Sequence, residues 1–144
     1  MGTQDDRPVV RVVAAVIWRD DRVYAAQRGY GDMKDGWEFP GGKVEKGEAP
    51  EQALRREVRE ELGCELGGVF YLDTVEHDYD DFHLSMDVFA CTPAAGDEPH
   101  SREHEAERWL ARDELLDVGW LPADRDVVMS LGMSWDEVFT EGRL

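Results

Sequence analysis

Apolar and polar positions along this chain change their period several times, and each change predicts an element. Val9 to Trp18 is rich in β-branched residues and reads as a strand. Asp20-Asp21 signals a tight turn, and Arg22 to Gln27 reads as a second strand, completing a hairpin. Gly29 to Gly36 is a glycine-rich loop, and Trp37-Glu38-Phe39 is a short third strand. Pro40-Gly41-Gly42 is expected to turn, and Gly47 to end a further short loop. The period then becomes helical: Leu54, Val58 and Leu62 recur every four residues and share one face, which predicts a helix from Pro50 to Leu62. Pro50 suits the first turn and Gly63 the C-terminal cap. Ala49 offers no capping oxygen, which forgoes about 1 kcal/mol.

Downstream, Val69 to Val75 and Leu84 to Cys91 read as longer strands joined across an acidic turn, with a loop from Pro93 to Pro99. Ala106 to Leu110 follows as a short strand, then a helical turn at Asp113 to Leu116. Pro122 to Leu131 reads as a second amphipathic helix with Val127, Val128 and Leu131 inward. No repeat or linker divides the chain, so residues 1–144 are expected to form one domain. Residues 1–8 are expected to be flexible and 134–144 to form a C-terminal extension. Strands outnumbering two helices point to an α/β fold with a mixed sheet covered on both faces.

Composition narrows the function. An apolar fraction of 42% with 10% aromatics belongs to a folded domain. No apolar run approaches the roughly 20 residues that cross a bilayer, and the polar start of the chain does not read as a signal peptide. Cys64 and Cys91 form no C-x-x-C pair and read as reduced, buried thiols of a cytoplasmic protein. The formal net charge of −17 repels nucleic acid and anionic membranes, which leaves a small molecule as the expected partner. A polyphosphate would be repelled too, unless divalent cations locally invert the field.

Such cations have a candidate seat. Glu57, Glu60 and Glu61 stand at i, i+3 and i+4, on one arc of the central helix beside its apolar stripe. Their mutual repulsion costs stability without a counter-charge. Oxygen ligands of this kind suit Mg²⁺ or Mn²⁺. Taken alone, the same arc also describes an ordinary solvated helix face.

Its neighbours change that picture. Gly42, Glu48, Arg56, Glu57, Val58, Glu60, Glu61, Gly63 and Cys64 lie in the stretch GKVEKGEAPEQALRREVREELGC. They resemble the Nudix box, G-x5-E-x7-R-E-U-x-E-E-x-G-U, with U a bulky aliphatic. Only Cys64 departs, and a buried cysteine behaves as a small hydrophobe. Trp37 to Gly41 resembles the usual approach to the box, and the wider likeness, to MutT-type members, runs from about Val12 to Val128.

The resemblance implies a Nudix α/β/α sandwich with a mixed β-sheet. It implies Glu57, Glu60, Glu61 and the Gly41 carbonyl as ligands of Mg²⁺, with Mn²⁺ as a substitute. Arg56 would orient Glu57, and Glu48 would brace the loop. A further carboxylate is expected between His100 and Trp109; Glu103 fits the MutT-type position best, with Glu105 and Glu107 as competitors. Glu57 or Glu103 would take the proton of the attacking water. In MutT-type members attack falls on the β-phosphorus, giving a nucleoside monophosphate and pyrophosphate. The likeness implies clearance of oxidised or surplus (deoxy)nucleoside triphosphates.

On the substrate side, Arg28 matches an arginine that contacts phosphate or sugar. Phe82 stands where some MutT-type proteins carry an arginine near the base. Asp124, within Trp120-Leu121-Pro122-Ala123-Asp124, matches a base-reading position often held by asparagine. An ionised Asp only accepts hydrogen bonds, which suits guanine N1–H and N2–H or the cytosine N4 amino group. A helix N-cap is the structural alternative for Asp124. A CTP- or dCTP-preferring pyrophosphohydrolase and a catalytically silent nucleotide-binding module are the competing functions, and both monomer and homodimer stay open. The ADP-ribose-type branch places a proline about fifteen residues past the box, whereas the first proline after Cys64 here is Pro93.

Overall fold

The computed structural model describes residues 6–101 and 104–139. Its organising strand is β1 (Val9–Arg19), whose pleat sends Val13, Ala15 and Ile17 to one side and Ala14 and Val16 to the other. All five are buried, so the continuous apolar run of the sequence is a strand covered on both faces. Asp20 and Asp21 both take positive φ, 52° and 59°, the conformation that a two-residue hairpin turn needs. They lead into β2 (Arg22–Arg28).

β3 (Trp37–Glu38) pairs with β2. Pro40-Gly41-Gly42, expected as a turn, instead opens β4 (Gly41–Lys43), which runs antiparallel to β1 with Gly41 opposite Ala14 and Gly42 opposite Val13. The two glycines serve close approach. A Cβ on Gly41 would stand 1.8 Å from the Val13 carbonyl oxygen, and one on Gly42 2.4 Å from the Glu57 carboxyl carbon. After the central helix come β5 (Leu66–Asp78) and β6 (His83–Pro93), both longer than their apolar cores suggest. β6 is parallel to β1 and antiparallel to β5, which makes the sheet mixed. β7 (His104–Leu110) pairs with β2.

Helix α1 (Pro50–Leu62) ends at Gly63, which takes the left-handed conformation at φ 60°. Its uncapped start is partly relieved because the Gln52 side chain accepts the Ala49 N–H at 2.9 Å. Ala53, Leu54, Val58 and Leu62 bury against the Val13–Ile17 face. Helix α2 (Pro122–Val138) covers the other face with Val127, Val128 and Leu131, as their spacing predicts. It passes Leu131 and kinks at Ser134, so Trp135 and Phe139 join the core where an extension was expected. Trp135 can do so because its indole N–H donates to Asp21. At the other end, Arg7 donates to the Tyr79 carbonyl and Pro8 accepts from the His83 amide, so these two residues are tied down rather than loose. Residues 1–5 and 140–144 of the expected flexible start and extension lie outside the described residues. Among the described residues, no helix is long and apolar enough to cross a membrane.

Candidate active site

β4 and α1 meet at Arg56. Its Nε and Nη2 donate to the two oxygens of Glu48 at 2.8 and 3.0 Å, a bidentate pair. Nη1 donates to Glu57 at 2.9 Å and to Glu60 at 3.2 Å, and Nη2 also reaches the Lys43 carbonyl at 3.0 Å. One guanidinium therefore ties the helix to the loop before it and to the strand beside it. It is also the counter-charge that the crowded glutamates require. Hydrogen bonds from Arg56, then from the Glu45 amide, hold the Glu48 carboxyl down to about 2.

Glu57 is largely buried and its carboxylate occupies the space above Gly42 that a Cβ would fill. Glu60, at 61% side-chain exposure, lies outward on the same arc. Glu61 and Gly41 share the wall of a cavity of about 310 Å³. The donors are all hard oxygens, as Mg²⁺-type ions prefer. Among the described residues, no three His, Cys, Asp or Glu side chains converge tightly enough to hold an ion by themselves. Such an open set fits an ion that keeps water and phosphate oxygens in its shell.

Arg28 lines the same cavity together with Glu38 and His104. Its Nη2 donates to Glu38 Oε1 at 2.6 Å and its Nη1 to the Asp32 carbonyl at 3.0 Å. Glu38 Oε2 lies 3.1 Å from His104 Nε2. Burial raises the Glu38 pKa, but the bonds from His104 and Arg28 outweigh it and hold the carboxyl below its usual value. Sequence reasoning missed both Glu38 and His104. The one available signal was Glu38 itself, a carboxylate between two aromatics whose alternation turns it to the opposite face.

A second cavity, about 240 Å³, shares Arg28, Glu38 and Gly41 with the first and continues past Tyr79, Phe82 and Leu121 to Asp124. Phe82 stacks on Tyr79, with ring centroids 4.8 Å apart, so the residue in the arginine's place presents an aromatic wall; Tyr79 carries no sequence signal. Asp124 is not the helix cap, because Leu121 holds that position. Its Oδ1 accepts the Phe39 N–H at 3.0 Å, and burial pushes its pKa up to about 7.

Glu103 lies outside the described residues. Of its competitors, Glu107 accepts hydrogen bonds from the Tyr24 hydroxyl and the Ser101 amide, which fixes it to the fold. Glu105 is exposed and faces Asp35.

The chain is similar to known proteins. The NUDIX domain family matches residues 8–131. An 8-oxo-dGTP diphosphatase of Proteus vulgaris is 43% identical over 89 residues, covering 60% of this chain and 80% of the relative. A CTP pyrophosphohydrolase of Escherichia coli is 36% identical over 117 residues, covering 81% and 86%. The crystal structure of a MutT NUDIX hydrolase from Burkholderia pseudomallei superposes with a TM-score of 0.76 at 28% identity, covering 85% of this chain and 98% of that one. With the family match spanning most of its length and a carboxylate helix set over β4, the chain belongs to the NUDIX hydrolase family.

Proposed function

We propose that this protein hydrolyses (deoxy)nucleoside triphosphates, 8-oxo-dGTP among them, to the monophosphate and pyrophosphate with Mg²⁺, clearing unwanted nucleotides from the pool. The family generally uses divalent metals. The observation that carries this reading is the Glu57 carboxylate seated over Gly42, beside a cavity continuous with the aromatic pocket that ends at Asp124.

Glu57, Glu60, Glu61 and the Gly41 carbonyl would hold the metal, with Glu103 completing the set. A bound divalent ion supplies charge neutralisation at the phosphate oxygens and a lowered pKa for the attacking water. Arg56 keeps Glu57 turned toward Gly42, where its carboxylate takes the proton from the water. Arg28, held by Glu38 and Asp32, directs its remaining N–H groups to the triphosphate or ribose. Phe82 and Tyr79 wall the base, and Asp124 accepts from its edge.

The test is turnover of dGTP, 8-oxo-dGTP, dCTP and CTP with Mg²⁺ and with chelator, following monophosphate and pyrophosphate by chromatography. Mg²⁺-dependent release of pyrophosphate is expected. Orthophosphate as the product would overturn the assignment, and tight nucleotide binding without turnover would favour a silent binding module. Above a pH of about 7, where Asp124 is ionised and only accepts, it supports a second reading, a preference for the cytosine amino group, and the same panel run at pH 8 separates the two.

A further inference from the structure

We infer that His104 and Glu38 are positioning residues which together aim Arg28 at the substrate. This rests on the reading of the larger cavity as the triphosphate site. The three side chains form an unbroken chain across that cavity's wall. His104 is almost completely buried, at 8% side-chain exposure, and stands against one oxygen of Glu38 while Arg28 takes the other.

The polarity of this chain follows from its ends. Ser101 Oγ accepts the backbone N–H of His104 at 2.9 Å, so its own hydroxyl hydrogen is available to His104 Nδ1, 2.8 Å away. Nδ1 then accepts, and Nε2 carries the hydrogen that it gives to Glu38, an acceptor when ionised. With Oε2 satisfied, Glu38 keeps Oε1 turned to Arg28. Among the described residues, two of the five guanidinium N–H groups are spent, on Glu38 and the Asp32 carbonyl, and the other three remain for a ligand. Without His104, a largely buried carboxylate oxygen loses its donor. The side chain must then swing toward water or take more of the guanidinium for itself. Either change weakens the hold on a polyphosphate and leaves the reacting end at Glu57 untouched.

Residues 104 and 38 are 66 positions apart, and the link also joins the start of β7 to β3. The imidazole can be divided by substitution. In His104→Gln the side-chain amide stands near the place of Nε2 and can donate to Glu38. In His104→Asn the amide stands near the place of Nδ1 and reaches only Ser101.

The experiment measures kcat and KM of the full chain with its best triphosphate for the parent, H104N, H104Q, E38Q and the H104N/E38Q double variant. H104N is expected to raise KM roughly tenfold with kcat within about threefold, and H104Q to recover most of that loss. The double variant is expected to match E38Q alone, because His104 acts through that carboxylate. Equal losses in H104N and H104Q, effects of H104N and E38Q that multiply, or a loss confined to kcat would each overturn the inference. If H104N does not fold, H104Q decides it: a KM raised as far as that of E38Q overturns the inference, and a KM near the parent's upholds it. An inactive parent would instead count against the proposed function.

Discussion

The backbone amide of Phe39 donates to the carboxylate of Asp124 at 3.0 Å, joining the approach to the acidic helix to the first turn of α2 across 85 residues of chain. Two backbone bonds flank it, from the Trp37 amide to the Gly119 carbonyl and from the Leu121 amide to the Trp37 carbonyl. The cavity walled by Tyr79 and Phe82 and the cavity beside Glu61 are thereby held in one register. A buried carboxylate that both ties the fold and lines the pocket invites separate tests of its two roles.

The first concerns selection among substrates. At pH 8, where the parent carboxylate is ionised, Asp124→Asn keeps an oxygen for the Phe39 amide and adds an N–H donor, so hydrolysis should persist while preference shifts. Bases offering an O6 or O4 acceptor should gain over those offering amino donors, by roughly 5- to 150-fold in relative kcat/KM. Ratios for dGTP, 8-oxo-dGTP, dCTP and CTP that are identical in both proteins would remove Asp124 from base selection.

The second concerns stability against pH. Burial raises the Asp124 pKa from 3.8 to about 7, so between those values the folded chain holds a proton that the unfolded chain has released. Unfolding free energy must therefore fall as pH rises across that window, by at most about 1.4 kcal/mol for each unit of pKa difference. Asp124→Asn lacks this linkage. The difference in Tm, variant minus parent, should grow more positive from pH 5 to pH 8; parallel Tm profiles would contradict the burial argument.

Glu57→Gln and Glu60→Gln should each lower kcat by about 100-fold or more at saturating Mg²⁺ while the fold persists. Relief of like-charge repulsion should not stabilise either variant, because Arg56 already lies 2.9 Å from Glu57 and 3.2 Å from Glu60. Turnover near that of the parent in either variant would remove that residue from the metal site. A Tm well above the parent's would show the repulsion to be uncompensated.

Local signals were legible and distant ones were not. The Asp20-Asp21 turn and α1, from Pro50 to the Gly63 cap, follow from residues within a few positions of one another. Gly41 and Gly42 misled because glycine marks close approach as well as turning, and what they approach, Val13 and Glu57, lies elsewhere in the chain. The box placed Glu57, Glu60 and Glu61 on one helix face, but nothing local shows that Glu38 would face His104 or that Tyr79 would stack on Phe82. A helix cap was the alternative to base reading for Asp124, and only the packed fold reveals its partner, Phe39. The reach of α2 past Leu131 depends likewise on Asp21, which accepts the Trp135 indole N–H.

The paired glycines separate fold from chemistry within two adjacent residues. At Gly41 an added Cβ would stand 1.8 Å from the Val13 carbonyl oxygen, which belongs to the central strand and cannot yield. Gly41→Ala should therefore break the pairing of β4 with β1 and cost about 1–3 kcal/mol or more, read as a fall in Tm. At Gly42 the atoms nearest the same methyl would be those of the Glu57 carboxylate, at 2.4 to 2.6 Å, the far end of a flexible side chain. Gly42→Ala should fold, but Glu57 must leave its seat or strain its bond to Arg56, and kcat should fall by about 10- to 100-fold. Gly67→Ala is the control, since its Cβ would make ordinary contacts at 3.4 Å or more, and it should match the parent in both measurements. A Gly42→Ala enzyme with unchanged kcat would show that the seat of Glu57 does not matter to the reaction. A Gly41→Ala protein melting with the parent would show that the strand has room the backbone distances deny.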